Sequence, residues 1–197
     1  KRMGYDMGLV SAEATWEDMR KLATSYAGIT WERCEDVGVQ WPAPTLEHPG
    51  TVYLHKDGQF SRGRGHFVGI EWQPQAELVD RKYPLVLTTG RRLWHYHTGT
   101  MTRNSQGMEE LCPEELIEIS SADAKELGVK DGAFVDVSSR RGKIRAKAWI
   151  TDRVPRGTVF ATFHFNEACG NVLTIDAMDR VTGTPEYKAC AVRVQRA

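Results

Sequence analysis

Pro84-Leu85-Val86-Leu87-Thr88-Thr89 is a short apolar, β-prone run, and Gly90-Arg91-Arg92-Leu93-Trp94-His95-Tyr96-His97-Thr98-Gly99-Thr100-Met101-Thr102-Arg103 follows it immediately. The first part has the length and branching of a buried strand. The second sets glycines, hydroxyls, two histidines and three arginines on the segment leaving that strand. Guanidinium groups match phosphate bidentately, and main-chain N–H groups at glycines form anion-binding nests. Such a loop suits a pyrophosphate-containing ligand, with a solvated polar loop as the plain alternative. His95 and His97 occupy alternate positions, which on an extended segment face opposite sides. One shared metal is therefore disfavoured, and hydrogen bonding to a phosphate is favoured over it, beside an ordinary surface role.

Further strands follow. Leu116-Ile117-Glu118-Ile119-Ser120 is the second, and Ser121 to Gly128 a compact helix with a serine cap and a glycine stop. Ala133 to Ser138 and Lys143 to Thr151 both alternate, and Ser139-Arg140-Arg141-Gly142 between them suits a tight hairpin turn. Val159 to Phe165 and Ala189 to Val194 complete the set. Six short strands and one helix after residue 83 predict a small β-barrel with α decoration. Two more polar clusters border these strands. Thr162-Phe163-His164-Phe165-Asn166-Glu167-Ala168-Cys169-Gly170-Asn171-Val172-Leu173-Thr174 starts at a strand end. Its phenylalanines suit a core or stacking role, and the Asn171 amide can pair with the donor and acceptor edge of a fused heterocycle. Thr184-Pro185-Glu186-Tyr187-Lys188 precedes the last strand, where Tyr187 and Lys188 can face a ligand or simply lead into the strand.

Upstream, Ser11 to Ala27 carries Trp16, Met19, Leu22, Ala23 and Tyr26 on one helical side, with Ser11 as N-cap and Gly28 as C-cap. From Thr30 to Gly65 turn signals dominate (Trp41-Pro42-Ala43-Pro44, His48-Pro49-Gly50, Asp57-Gly58), and only Val52 to His55 resembles a strand. A stretch this long without regular structure reads as a connection between packed bodies. Lys1-Arg2-Met3-Gly4-Tyr5 reads like the middle of a helix, and the chain is expected to be a fragment that continues upstream, with no signal peptide in view.

The chain of 197 residues suffices for one domain plus a flanking piece, with six Trp, six Phe and six Tyr to fill a core. Lys plus Arg and Asp plus Glu each number 26, so the basic excess of a nucleic-acid-binding domain is missing. No apolar run is long enough for a membrane span. Cys34, Cys112, Cys169 and Cys190 are scattered without a Cys-x-x-Cys pair, unlike zinc or iron–sulfur ligand sets. Four buried free thiols in a reducing compartment is the expectation, which points to the cytoplasm and leaves the periplasm open.

Taken in order, Leu87-Thr88-Thr89-Gly90-Arg91, His95-Tyr96-His97-Thr98-Gly99-Thr100-Met101-Thr102-Arg103, Asn171-Val172-Leu173-Thr174 and Pro185-Glu186-Tyr187-Lys188-Ala189-Cys190-Ala191-Val192-Arg193-Val194 resemble the C-terminal domain of molybdopterin oxidoreductases, the DMSO reductase superfamily. Within it, the resemblance is strongest to the formate dehydrogenase catalytic (alpha) subunit. Phe67 to Leu78 and the Gln40-Trp41-Pro42 turn resemble the stretch before that domain, and Met3-Gly4-Tyr5 with the following helix the end of an earlier one.

That resemblance implies a mixed α/β, mainly β fold. Residues 1–80 would be the tail of a preceding domain, with a helix over 11–27 and a long linker. Residues 81–197 would be a double-psi β-barrel, the molybdopterin dinucleotide-binding domain. It implies a bis-molybdopterin guanine dinucleotide carrying Mo or W. Arg91, His95, His97, Thr98, Gly99 and Thr100 would line it from the first loop, Phe163, His164 and Asn171 from the second, and Tyr187 and Lys188 from the third. No catalytic residue or metal ligand maps onto this chain, since those and the 4Fe–4S cysteines would lie upstream. The implied partners are the upstream domains of the same enzyme and Fe–S or NAD-linked electron-transfer subunits. The implied activity of the whole is formate oxidation to carbon dioxide. A non-catalytic pterin-binding module and a relative such as assimilatory nitrate reductase are the competing readings.

Overall fold

Ser11 opens the first regular element as expected: its hydroxyl accepts the Ala14 N–H at 3.0 Å and caps α1 (Ala12–Leu22). The computed structural model describes residues 3–5, 8, 10–60 and 62–197. It divides into two compact units, Lys1–Ile70 and Glu71–Ala197. In the first, α1 stops earlier than its periodicity predicts. Ala23 is extended, and a separate 3-10 turn covers Thr24–Tyr26. Packing wins over continuation here. The Tyr26 ring meets Trp16 edge-on at 5.6 Å, while Trp16 Nε1 donates to the Ile29 carbonyl at 2.7 Å. Gly28 is not a cap but a point of close approach. Its N–H bonds Ala43 O, and a Cβ there would meet the Thr45 carbonyl.

A four-residue helix, α2 (Trp31–Cys34), is the one α-helical piece among the described residues of the stretch expected to be irregular. The strand expected at Val52 to His55 is instead a turn, with His55 left-handed at φ 57°. Four β-prone residues without a partner strand have nothing to hydrogen-bond, and Val52, Tyr53 and Leu54 are exposed. At the start, Met3 and Gly4 form a turn, Gly4 at φ 84°, rather than helix; residues 1 and 2 lie outside the described residues.

The second unit carries β1 (Leu85–Gly90), α3 (Gln106–Leu111), β2 (Leu116–Ile119), α4 (Ser121–Leu127), β3 (Phe134–Ser138), β4 (Lys143–Ile150), β5 (Thr158–Thr162) and β6 (Cys190–Arg196). The strands close into a barrel in the order β1-β5-β2-β4-β3-β6. β1 with β5 and β2 with β4 are parallel; the other four pairings are antiparallel. This is the expected double-psi β-barrel, mainly β with few helices. Alternation along each strand sends Leu87, Ile117, Ile119, Val135, Val137, Val159, Ala161 and Val192 inward to form the buried core. Each such branched side chain contributes about 1.5–3 kcal/mol through burial. The capping of α4 differs by one residue from the sequence reading. Ser120, not Ser121, accepts the Asp123 N–H, and Gly128 closes the helix at φ 65°.

All four cysteines are free, but they are not uniformly buried: Cys112 and Cys190 are, Cys169 is half-buried and Cys34 is exposed. Burial pushes the Cys112 and Cys190 thiols up, which keeps them protonated and unreactive. No helix among the described residues is long and apolar enough to cross a membrane.

Candidate functional site

Strand direction decides where the three polar clusters lie. β5 runs parallel to β1 with Thr162 opposite Gly90, so the loops leaving both strands begin at the same rim. β6 runs antiparallel to β1 with Cys190 opposite Leu87, so the segment entering β6 reaches that rim as well. Ser138 opposite Arg193 brings the β3–β4 turn there too. Residues far apart in sequence are thus gathered at one end of the barrel.

The first loop is folded rather than extended. Gly99 N–H bonds Tyr96 O at 3.0 Å, Arg103 N–H bonds Gly99 O at 2.9 Å, and Thr102–Asn104 forms a 3-10 turn. The expected alternation of His95 and His97 along an extended segment therefore does not occur. His95 is buried, with Nδ1 3.0 Å from Thr102 Oγ1 and Nε2 2.7 Å from Cys112 O. His97 is exposed and left-handed at φ 49°. Gly99, at φ 75°, sits where a Cβ would press on the His164 carbonyl and the Arg103 side chain.

His164, from the second loop, is buried against this one. Its Nδ1 bonds His97 O, and its Nε2 lies 2.9 Å from the Arg92 main-chain nitrogen. A carbonyl only accepts and an amide only donates, so Nδ1 carries the proton and Nε2 accepts. Burial holds this imidazole below its usual pKa, and His95, Arg92 and Arg91 nearby act in the same direction; the His97 carbonyl opposes them. Beneath it, the buried Glu115 accepts from both the N–H and the hydroxyl of Thr162. Burial pushes that carboxyl up, while the Thr162 donors pull it down.

Several rim cations are already committed. Arg103, absent from the expected set although its sequence neighbours belong to it, is held by Glu109 at 3.0 Å and Glu167 at 2.8 Å over the Phe165 ring. Only the fold reveals those partners. Arg92 donates to Leu116 O at 2.8 Å and lies over Trp149. By contrast, Arg91 is exposed and in no ion pair among the described residues, its guanidinium 5.3 Å from the centre of the Phe163 ring. Lys188 Nζ donates to Thr89 O at 2.7 Å and lies over Tyr187, and Thr89 Oγ1 donates to Tyr187 O. The Asn171 amide is exposed and bonds no protein group among the described residues, as do the main-chain N–H groups of Thr98 and Thr100. The Thr98 and Thr100 hydroxyls bond each other at 2.8 Å. The rim acids are engaged: Glu109 and Glu167 with Arg103, and Glu186 with the Ala76 N–H at 3.0 Å. Arg91 and Lys188 are thus the rim cations left in no ion pair among the described residues.

The second loop is pinned from below. Arg141 donates to Leu173 O at 2.9 Å and to Glu77, which also accepts from Arg140 and from the Ala191 N–H at 2.8 Å. Gly170 packs its Cα against the Thr162 carbonyl, where an added Cβ would stand 2.5 Å away. Gly170→Ala is expected to lower stability by about 1–3 kcal/mol through this overpacking, read as a lower urea midpoint at unchanged slope; an unchanged midpoint would refute the contact. Elsewhere, an open groove of about 830 Å³ runs along the outer barrel wall past Thr88, Phe160, Trp149 and Arg153. Of the expected site residues only Arg91 lines it. No group of three His, Cys, Asp or Glu able to hold a metal occurs among the described residues.

Known proteins match the sequence of this barrel. The family described as "Molydopterin dinucleotide binding domain" matches residues 85–191. The alpha subunit of an F420-dependent formate dehydrogenase 2 from Methanococcus maripaludis is 45% identical over 98% of this chain and 29% of its own length. Formate dehydrogenase H of Escherichia coli is 35% identical over 98% of this chain and 28% of its own. The nitrate reductase of Symbiobacterium thermophilum reaches 37% over the whole chain and 29% of its own length. The chain thus spans under a third of the length of these curated relatives. Acetylene hydratase from Pelobacter acetylenicus shares the fold, with a TM-score of 0.52 at 15% identity over 59% of this chain and 19% of that one. The barrel, its loop-bearing rim and the sequence match over both agree: this chain belongs to the molydopterin dinucleotide binding domain family.

Proposed function

We propose that this chain is the cofactor-holding, C-terminal part of a molybdopterin-dependent formate dehydrogenase alpha subunit. One observation carries the site assignment. Three loops reach one rim and bring donors to it. Arg91, the Asn171 amide and the Thr98 and Thr100 N–H groups are unbonded within the protein among the described residues. Lys188 Nζ spends one hydrogen bond on Thr89 O and has two N–H left. That donor set fits an anionic pterin nucleotide, because a buried pyrophosphate needs charge-assisted hydrogen bonds. Arg91 and Lys188 neutralise phosphate, Asn171 reads a heterocycle edge, and Phe163 and Tyr187 offer aromatic faces. His97 with Thr98 and Thr100 lines the first loop, while His95, Gly99 and His164, being buried, shape it from within.

When bound, the metal–pterin group supplies the redox chemistry, accepting two electrons as formate becomes carbon dioxide. This part of the enzyme orients that group, balances its charge and keeps water from its phosphates. The bis-guanine-dinucleotide form, Mo or W as the metal, a 4Fe–4S cluster and the metal ligand in upstream domains, Fe–S or NAD-linked partner subunits and a cytoplasmic location complete the proposal. The 45% identity to an F420-dependent formate dehydrogenase alpha subunit, above the 37% to a nitrate reductase, favours formate over the nitrate reading. Metal and guanine-nucleotide analysis of the intact protein alongside a formate–dye assay tests it. Molybdenum or tungsten, guanine nucleotide and formate-dependent dye reduction are expected together. Nitrate turnover without formate oxidation, or a protein free of guanine nucleotide, would reject it.

A further inference from the structure

Two neighbouring observations in the first loop are unexplained by cofactor contact alone. His97 holds a left-handed backbone although it is not glycine. The N–H groups of Thr98 and Thr100 just beyond it are unused by the protein among the described residues. A non-glycine residue persists in that conformation only where its surroundings enforce it. The enforcing contact comes from His164. His164, buried to 1% exposure, bonds the His97 carbonyl through Nδ1 and receives the Arg92 N–H at Nε2. One ring therefore grips the first loop on both sides of Leu93 to Tyr96. The carbonyl of the same residue closes the back of Gly99.

We infer that His164 is a positioning residue: by fixing the His97 carbonyl it sets the turn at residues 97–100 and aims its free N–H groups outward at the ligand. The inference rests on the proposed cofactor reading of the rim and deepens it. His164 itself has no free polar ring atom to offer, since both nitrogens are bonded within the protein. The two bonds are separable by substitution. In Asn the side-chain amide nitrogen stands near the place of Nδ1, whereas in Gln the amide reaches the place of Nε2. His164→Asn thus keeps the donor to His97 O and loses the acceptor for Arg92. His164→Gln keeps the acceptor and releases His97.

The test uses the intact enzyme, with guanine nucleotide released per polypeptide, thermal midpoint, and the rate of tryptic cleavage after Arg91 and Arg92 as readouts. Both variants lose one hydrogen bond inside the protein, so similar drops in midpoint are expected. Cofactor content should divide them, with His164→Asn within about twofold of wild type and His164→Gln lower by about tenfold, the weight of one well-placed hydrogen bond. Tryptic cleavage should be faster in both, because each frees one side of the loop. Equal loading of the two variants, high or low, would overturn the positioning role. Arg91→Ala, measured alongside, separates the two layers. If it loads normally, the rim reading fails and this inference with it. If it is depleted while the two His164 variants behave alike, only the positioning role falls.

Discussion

Arg91→Ala is expected to reduce the cofactor content of the intact enzyme by about 10- to 100-fold, the effect of losing charge-assisted hydrogen bonds to a phosphate. Arg91 is exposed at the rim, in no ion pair among the described residues, and its one ring contact is with Phe163, so little of the fold's stability depends on its charge. Its thermal midpoint should therefore change little. Lys188→Ala is expected to act in the same direction with an added cost to stability, because Nζ also bonds Thr89 O across to β1. Formate–dye activity should fall in proportion to cofactor content, while activity per bound cofactor stays within about twofold, since neither residue is placed at the reacting atoms. Arg91→Lys should recover only part of the loss, because an ammonium is a point charge where a guanidinium offers a planar fork. Normal loading in both alanine variants would remove these residues from the site.

Glu77→Ala is expected to cost about 2–3 kcal/mol of stability, the larger structural effect. Its carboxylate is 13% exposed and receives Arg140, Arg141 and the Ala191 N–H, tying the β3–β4 turn to the start of β6. Removing it leaves the Ala191 N–H without its acceptor and takes one acceptor from each guanidinium, with Asp80 remaining to Arg140 and the Leu173 carbonyl to Arg141. The same group creates an acid dependence. Hydrogen bonding from Arg141 above all, then the Ala191 N–H and Arg140, lowers its pKa from 4.5 to about 2 against the opposing effect of burial. A depressed folded-state pKa means the contribution is complete above pH 4.5 and is lost as pH falls through about 2. Asp136, held low by Arg145 and Lys143, titrates in the acid range too. The difference between wild-type and Glu77→Ala urea midpoints therefore isolates Glu77. That difference should be constant from pH 7 to 5 and shrink below pH 4.5; a gap that persists unchanged to pH 2 would contradict the network.

The barrel strands were legible in the sequence because period-two alternation is a local signal. Phe134–Ser138 and Lys143–Ile150 lie within residues of where that pattern put them. The helix α3 was not, since Gln106-Gly107-Met108 carries a helix-weakening glycine and the element is only six residues long. Val52 to His55 failed for the opposite reason: its residues favour a strand, but among the described residues no partner strand accepts it. Polar clusters at strand ends marked the rim, and strand direction then brought them together. What local pattern does not encode is which charges remain free. Arg91 and Arg103 look equivalent in sequence, yet Glu167, from a different loop, occupies one and leaves the other. The split between a buried His95 and an exposed His97 likewise came from a folded loop, not from strand alternation.

The seam between β1 and β6 has a consequence for how the protein is made. β6 completes the ring by filling the gap between β1 and β3. Until it arrives, both neighbours present unpaired backbone edges that invite association with other chains. During synthesis the barrel stays open until Cys190–Arg196 has emerged, so the loops that form the rim come into register only once β6 has seated. A ligand that needs groups from all three loops can therefore be held only after β6 has seated, and the barrel still lacking it is the form most exposed to proteolysis.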